Sequence, residues 1–172
     1  MRRVREFIAF ADGSADNSNK SPASVGVCVG IKRGNRAWIV MELAKCIGPG
    51  TNNVAELVAI QCALRGLAAV GGYRVRAVVY TDSRYAMHMI DGLYKNRSLS
   101  KNFKLVNKIK CLFGQFLNVK FKHVYGHSGV EGNELVDWLA DLARNKQWNY
   151  EPAKWTKKLN NRPVPVDFVS LP

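Results

Sequence analysis

Five consecutive apolar residues, Phe7-Ile8-Ala9-Phe10-Ala11, run directly into an acid, Asp12, and no other stretch constrains the fold as much. A strand that is apolar on both faces must be covered on both, so this run predicts a central strand between flanking layers. Two more apolar runs, residues 25–31 and 37–43, follow across short polar turns and predict an antiparallel meander. Helix and strand patterns then alternate: a helix over about 53–70, a strand over 76–81, and helices over about 82–93 and 101–116. A strand over 118–125 and a helix over 133–146 complete the series. The helix over 53–70 has only Glu56, Gln61 and Arg65 as strongly polar members after its cap, so it is expected to be buried on more than one side. Together these elements predict an α/β fold, with a mixed five-stranded sheet of three antiparallel and two parallel strands flanked by helices.

Four acids end or interrupt apolar segments. They stand in Phe10-Ala11-Asp12-Gly13-Ser14, Asn52-Asn53-Val54-Ala55-Glu56-Leu57, Val79-Tyr80-Thr81-Asp82-Ser83 and Asn133-Glu134-Leu135-Val136-Asp137. Singly, each has an ordinary structural explanation. Asp82 reads as a helix N-cap, Asp12-Gly13 as a turn, Glu56 as the partner of Asn53 in a capping box, and Asp137 as part of an exposed stripe with Glu134 and Asp141. The chain holds 13 Asp and Glu against 26 Lys and Arg, so acids placed inside apolar segments are poor candidates for solubilising decoration. Brought together, an Asp, Glu, Asp, Asp set is a hard oxygen site suited to magnesium or manganese. Gly126-His127-Ser128-Gly129 puts a histidine, a side chain that titrates near neutrality, in a glycine-flanked loop ahead of Asp137.

The order and wording of these segments resemble the type 1 ribonuclease H family, both the cellular enzymes and the ribonuclease H domains of reverse transcriptases. The resemblance runs from about Val4 to about Lys146: Asp-Gly-Ser, Thr-Asn-Asn with Glu56 five residues after Thr51, Thr-Asp-Ser, Gly-His-Ser-Gly, then Gly-Asn-Glu and Asp137. It implies a ribonuclease-H-like fold and an endoribonuclease that hydrolyses the RNA strand of RNA:DNA hybrids, leaving a 5′-phosphate, with two magnesium ions per site and manganese as an alternative. By resemblance Asp12 bridges both ions, Glu56 and Asp82 share one, Asp137 completes the other, and His127 serves proton transfer or product release. Gly13, Ser14, Thr51, Asn52, Asn53 and Ser83 fall where the family meets nucleic acid, although Thr51 is equally well placed as a plain helix cap. The chain departs from the family in three places. Its turn over residues 16–23 lacks the usual Gly/Pro character, and Arg84 stands where many relatives have Gln. The 45 residues from Asp82 to His127 are too few for the full basic protrusion of the bacterial enzyme, which makes this a short-protrusion variant.

A formal net charge of +13 points to a polyanionic partner, and its distribution is uneven. Residues 92–130 hold eight basic side chains (Lys95, Arg97, Lys101, Lys104, Lys108, Lys110, Lys120, Lys122) and no acid. Such a face either keeps the protein soluble or binds phosphate backbones through counterion release, and beside a metal-type acidic site the second reading is favoured. Lys101, Lys104 and Lys108, with the basic C-terminal arm, are expected to grip the DNA strand in place of the shortened protrusion. Cys28, Cys46, Cys62 and Cys111 lack C-x-x-C spacing and lie among apolar residues, so buried free thiols in a reducing, cytoplasmic (or nuclear) setting are expected, without zinc or disulfides. No apolar run is long enough for a membrane span, and the first apolar strand begins too early to leave room for a signal peptide. One catalytic domain over residues 1–147 and a monomer are expected, with residues 148–172 as a basic extension containing Pro and Trp. That extension either wraps the core or lies free as an arm.

Overall fold

The computed structural model describes residues 6–16, 21–33, 36–92, 101–146, 149–150 and 163–164. Strands β1 (Glu6–Ala15), β2 (Pro22–Arg33) and β3 (Arg36–Pro49) form the antiparallel meander. Helix α1 (Asn52–Ala69) leads to β4 (Ala77–Thr81), α2 (Arg84–Asp91), α3 (Phe103–Phe113), β5 (Val119–His123) and α4 (Glu131–Lys146). β4 pairs parallel with β1 and β5 parallel with β4, giving the order β5-β4-β1-β2-β3. This is the expected mixed five-stranded sheet with β1 at its centre. Two two-residue strands, β6 (Asn149–Tyr150) and β7 (Pro163–Val164), add to the free edge of β3, at Ala44–Lys45 and Ala37–Trp38 respectively.

Alternation along β1 divides the core. Phe7, Ala9 and Ala11 pack with Leu57, Ile60, Leu64 and Leu67 of α1 and with Val106 and Ile109 of α3. Ile8 and Phe10 turn to the opposite face, where Val78, Tyr80 and Val136 of α4 cover them, and the rings of Phe10 and Tyr80 stack at 4.7 Å. Burying a side chain of this size contributes about 1.5–3 kcal/mol, so the double-faced apolar run secures the sheet to both helical layers.

Several boundaries differ from the sequence expectation. Asp12 does not end the central strand. β2 keeps pairing with β1 from Asp12↔Gly26 to Ala15↔Ala23, whereas β4 leaves after Phe10↔Tyr80. Asp12 therefore lies where the parallel neighbour has diverged but the antiparallel one still holds the backbone. The β2–β3 ladder also extends beyond its apolar runs, with irregularities at Ala23/Ser24 and Val29/Gly30. Thr51 caps α1, its Oγ1 accepting from the Val54 N–H at 3.4 Å, so no capping box ties up Glu56. Ser83 caps α2, accepting from the Ala86 N–H at 3.2 Å, so the helix starts at Arg84 and the Asp82 carboxylate is not spent as a cap. Lys101 precedes α3 rather than belonging to it. Cys28 is buried, but Cys46 and Cys62 are half-buried and Cys111 is exposed on α3, so the expectation of uniformly buried thiols does not hold. Lys95, Arg97 and most of the C-terminal extension lie outside the described residues. Among those described, no helix is long and apolar enough to cross a membrane.

Candidate active site

Two glycines set how closely the helices approach Asp12. A Cβ on Gly13 would stand 2.3 Å from the backbone nitrogen of Glu56, so only glycine lets the first turn of α1 close on β1. A Cβ on Gly26, the cross-strand partner of Asp12, would stand 1.9 Å from the Val136 carbonyl oxygen, so α4 closes on the other face with the same lack of clearance. Asp82 follows the last residue of β4, next to the gap where that strand diverges from β1.

Asp12, Glu56 and Asp82 each direct a carboxylate oxygen into one pocket, and these oxygens lie within 4.8 Å of one another. Asp12 and Glu56 are both 6% exposed. Burial pushes the Asp12 carboxyl up to about 8, helped by the charges of Asp82 and Asp137 and by a hydrogen bond with Asp137. Burial likewise pushes Glu56 up to about 9, with Asp12 and Asp82 adding to it. Hydrogen bonds from the Gly13 backbone oppose both shifts. Asp137 thus joins the same electrostatic cluster from α4, completing the predicted four. An uncompensated buried carboxylate costs several kcal/mol, so this cluster invites neutralisation by protons or by a cation.

Neighbouring groups hold the acids in place. Asn133, itself buried, donates from Nδ2 to Asp82 Oδ2 at 3.3 Å, and Asn52 Nδ2 reaches Glu56 Oε1 at 3.5 Å. The His123 Nε2–H donates to the Asp82 carbonyl oxygen at 3.1 Å, and its ring meets Tyr125 edge-on. Glu56 Oε2 is buried with no hydrogen-bond partner. Four carboxyl groups, acceptor-only once ionised, with one orphaned buried oxygen fit a hard divalent cation. His127 sits at the rim with a left-handed backbone (φ 52°), its side chain 81% exposed and its Nδ1 3.7 Å from Asp137 Oδ2. The backbone N–H of Gly129 donates to Glu134 Oε1 at 3.3 Å, which ties the loop to the start of α4.

The other sequence candidates lie on several elements. Ser14 Oγ donates to Asp141 Oδ1 at 2.7 Å, and Arg144 bridges Asp141 to Asp16, so the end of β1 is fastened to α4. Thr51 and Asn53 are exposed at the start of α1, Ser83 and Arg84 open α2, and Lys101, Lys104 and Lys108 are exposed on or just before α3. Sequence reasoning missed Gly26, Asn133 and His123. Gly26 was findable by counting the meander back from Asp12, and Asn133 by its place in the Gly-Asn-Glu segment; nothing in the sequence marked His123.

Comparison with known proteins converges on one family. The ribonuclease H family model matches residues 5–145. A ribonuclease H from Desulforamulus reducens is 30% identical over 156 residues, covering 85% of this chain and 91% of the relative, and one from an Anaeromyxobacter species is 34% identical over 155 residues, covering 80% and 79%. Among solved structures, the N-terminal RNase H domain of a Mycobacterium tuberculosis protein superposes with a TM-score of 0.68 at 26% identity, covering 81% of this chain and 98% of that one. LC11-RNase H1, solved in complex with an RNA/DNA hybrid, gives 0.64 at 29% identity, covering 80% and 98%.

Proposed function

The chain belongs to the ribonuclease H family, as a type 1 member that hydrolyses the RNA strand of RNA:DNA hybrids, and we propose that it does so at the Asp12, Glu56, Asp82 and Asp137 pocket with two magnesium ions. The observation that carries this reading is the meeting of three carboxylate oxygens within 4.8 Å, two of them on nearly inaccessible side chains. Ribonucleases H depend on divalent metal. Held by these carboxylates, such ions supply an activated water and charge stabilisation for the departing 3′ oxygen.

The protein's own groups do the rest. Asp12 is fixed by the β1–β2 ladder, so its carboxylate is positioned by backbone rather than by a loop. Asn133 and His123 hold Asp82 by its carboxylate and its carbonyl. His127, exposed beside Asp137, can exchange protons with solvent and with a group leaving the pocket, which suits general acid–base work or product release. Gly13, Ser14, Thr51, Asn52, Asn53, Ser83 and Arg84 border the pocket and are assigned to the hybrid near the scissile bond. Lys101, Lys104 and Lys108 are assigned to phosphate contacts further away, where they position the substrate rather than act on the bond. We assign the working form as an intracellular monomer whose catalytic domain ends near residue 147.

Asp12→Asn tests the site. It removes a central carboxylate without touching the basic surface, so cleavage should be lost while hybrid affinity stays within about tenfold, as expected for a group that acts on the transition state rather than on binding. Cleavage retained within about tenfold of the unsubstituted rate would move the chemistry elsewhere.

A further inference from the structure

A groove of ≈ 460 Å³ runs between the outer faces of α1 and α3, lined in part by Gln61 and Arg65 of α1, Lys104, Asn107 and Lys108 of α3, and Gln115 just beyond it. Its charge pattern is unusual for two packed helices. α1 carries no acid after Glu56, α3 carries none at all, and among the described residues no carboxylate lines the groove. Three cations, one from α1 and two from α3, therefore line the groove together. Among the described residues none of the three has an ion-pair partner. Such a trio is self-repelling until an anion enters, and the amides of Gln61, Asn107 and Gln115 add neutral donors suited to the remaining oxygens of a phosphodiester. Arg65 brings a planar fork that can grip one phosphate with two parallel hydrogen bonds.

The groove also lies at a definite reach from the chemistry. Arg65 is nine residues beyond Glu56 on the same helix, ~13–14 Å along the axis and about half a turn around it, so the groove opens on another side of α1 and only a duplex of several base pairs could reach both. We propose that the α1–α3 groove is a second backbone site, occupied by a phosphodiester segment of the same hybrid whose RNA strand enters the acidic pocket, with Arg65 as its fork. This rests on the hybrid being the substrate. It adds Arg65 to Lys104 and Lys108 as a binding residue and leaves Lys101, which does not line the groove, outside it.

The test is equilibrium binding of the full chain carrying Asp12→Asn, with and without Arg65→Gln or Arg65→Lys, to hybrids of about 12 and about 4 base pairs over a range of salt. For the longer hybrid, Arg65→Gln should weaken binding and reduce the salt slope of log K by about 0.9, and Arg65→Lys should restore the slope because it restores the charge. The shorter hybrid, which cannot span both sites, should bind all three proteins alike. Unchanged affinity and slope on the longer hybrid, or an equal loss on both lengths, would overturn the proposal. So would a variant that loses only inorganic pyrophosphate binding, which would make the groove a small-anion site. Cleavage of the longer hybrid by the unsubstituted protein, run in parallel, checks the underlying reading separately.

Discussion

Asp12 and Glu56 are acids held by burial, and by the charges of neighbouring carboxylates, above the range in which an exposed carboxyl titrates. In the unfolded chain they ionise near pH 4, and in the metal-free folded protein only near 8 and 9. Between those limits the folded state binds more protons than the unfolded state, so stability must fall as pH rises. Thermal unfolding in EDTA should therefore show Tm declining from pH 5 towards pH 8, with a smaller slope in Asp12→Asn. Magnesium should raise Tm more at pH 8 than at pH 5, because at the higher pH it replaces protons the pocket has lost. A Tm that did not change with pH in EDTA would mean that these acids are solvated. For His127, whose side chain is exposed and stands 3.7 Å from Asp137, the Ala variant should fold normally and turn over more slowly by about 10²–10⁴-fold, the usual worth of a positioned proton carrier. An unaltered rate across the pH range would reduce it to a loop residue.

At the level of elements, the site is assembled by helices pressed onto β1 from both faces, and the glycines control the spacing. Gly26→Ala would drive a methyl group into the α4 backbone, which cannot yield as a flexible side chain can. Urea unfolding should register a loss of about 1–3 kcal/mol or more, and cleavage should fall further than stability alone explains, because Asp137 rides on the displaced helix. A fully active, equally stable Gly26→Ala protein would mean that α4 does not need this contact. The element order was legible in the sequence because it follows from apolar runs and their periods. The four acids were legible because each breaks such a run. Strand ends were less so, since β1 beyond Asp12 is held by cross-strand pairing to β2, which apolar content does not reveal. Caps were misread for a related reason: Asp82 and Ser83 are both good caps, and only the backbone geometry gives the role to Ser83 and leaves the acid for the pocket. Asn133 and His123 act through contacts with Asp82 from 51 and 41 positions away, a separation no local pattern encodes.

On the scale of the described molecule, one cluster of carboxylates stands apart from one face of cations. Three carboxylates meet where β4 diverges from β1, while α3 and the outer face of α1 carry cations without acids. On the proposed reading, that arrangement would give sequence-independent affinity for a phosphate backbone and place hydrolysis where oxygen ligands converge. The short strands β6 and β7 also draw part of the C-terminal extension onto the β3 edge, the opposite side of the sheet from β5. The most direct test of the account is incubation of the protein with end-labelled RNA:DNA hybrid, duplex RNA and duplex DNA, each with magnesium, manganese or EDTA. Internal cuts should appear in the RNA strand of the hybrid alone, leaving 5′-phosphates, supported by magnesium and abolished by EDTA. Comparable cutting of duplex RNA or duplex DNA, or cutting of the hybrid that persists in EDTA, would contradict it.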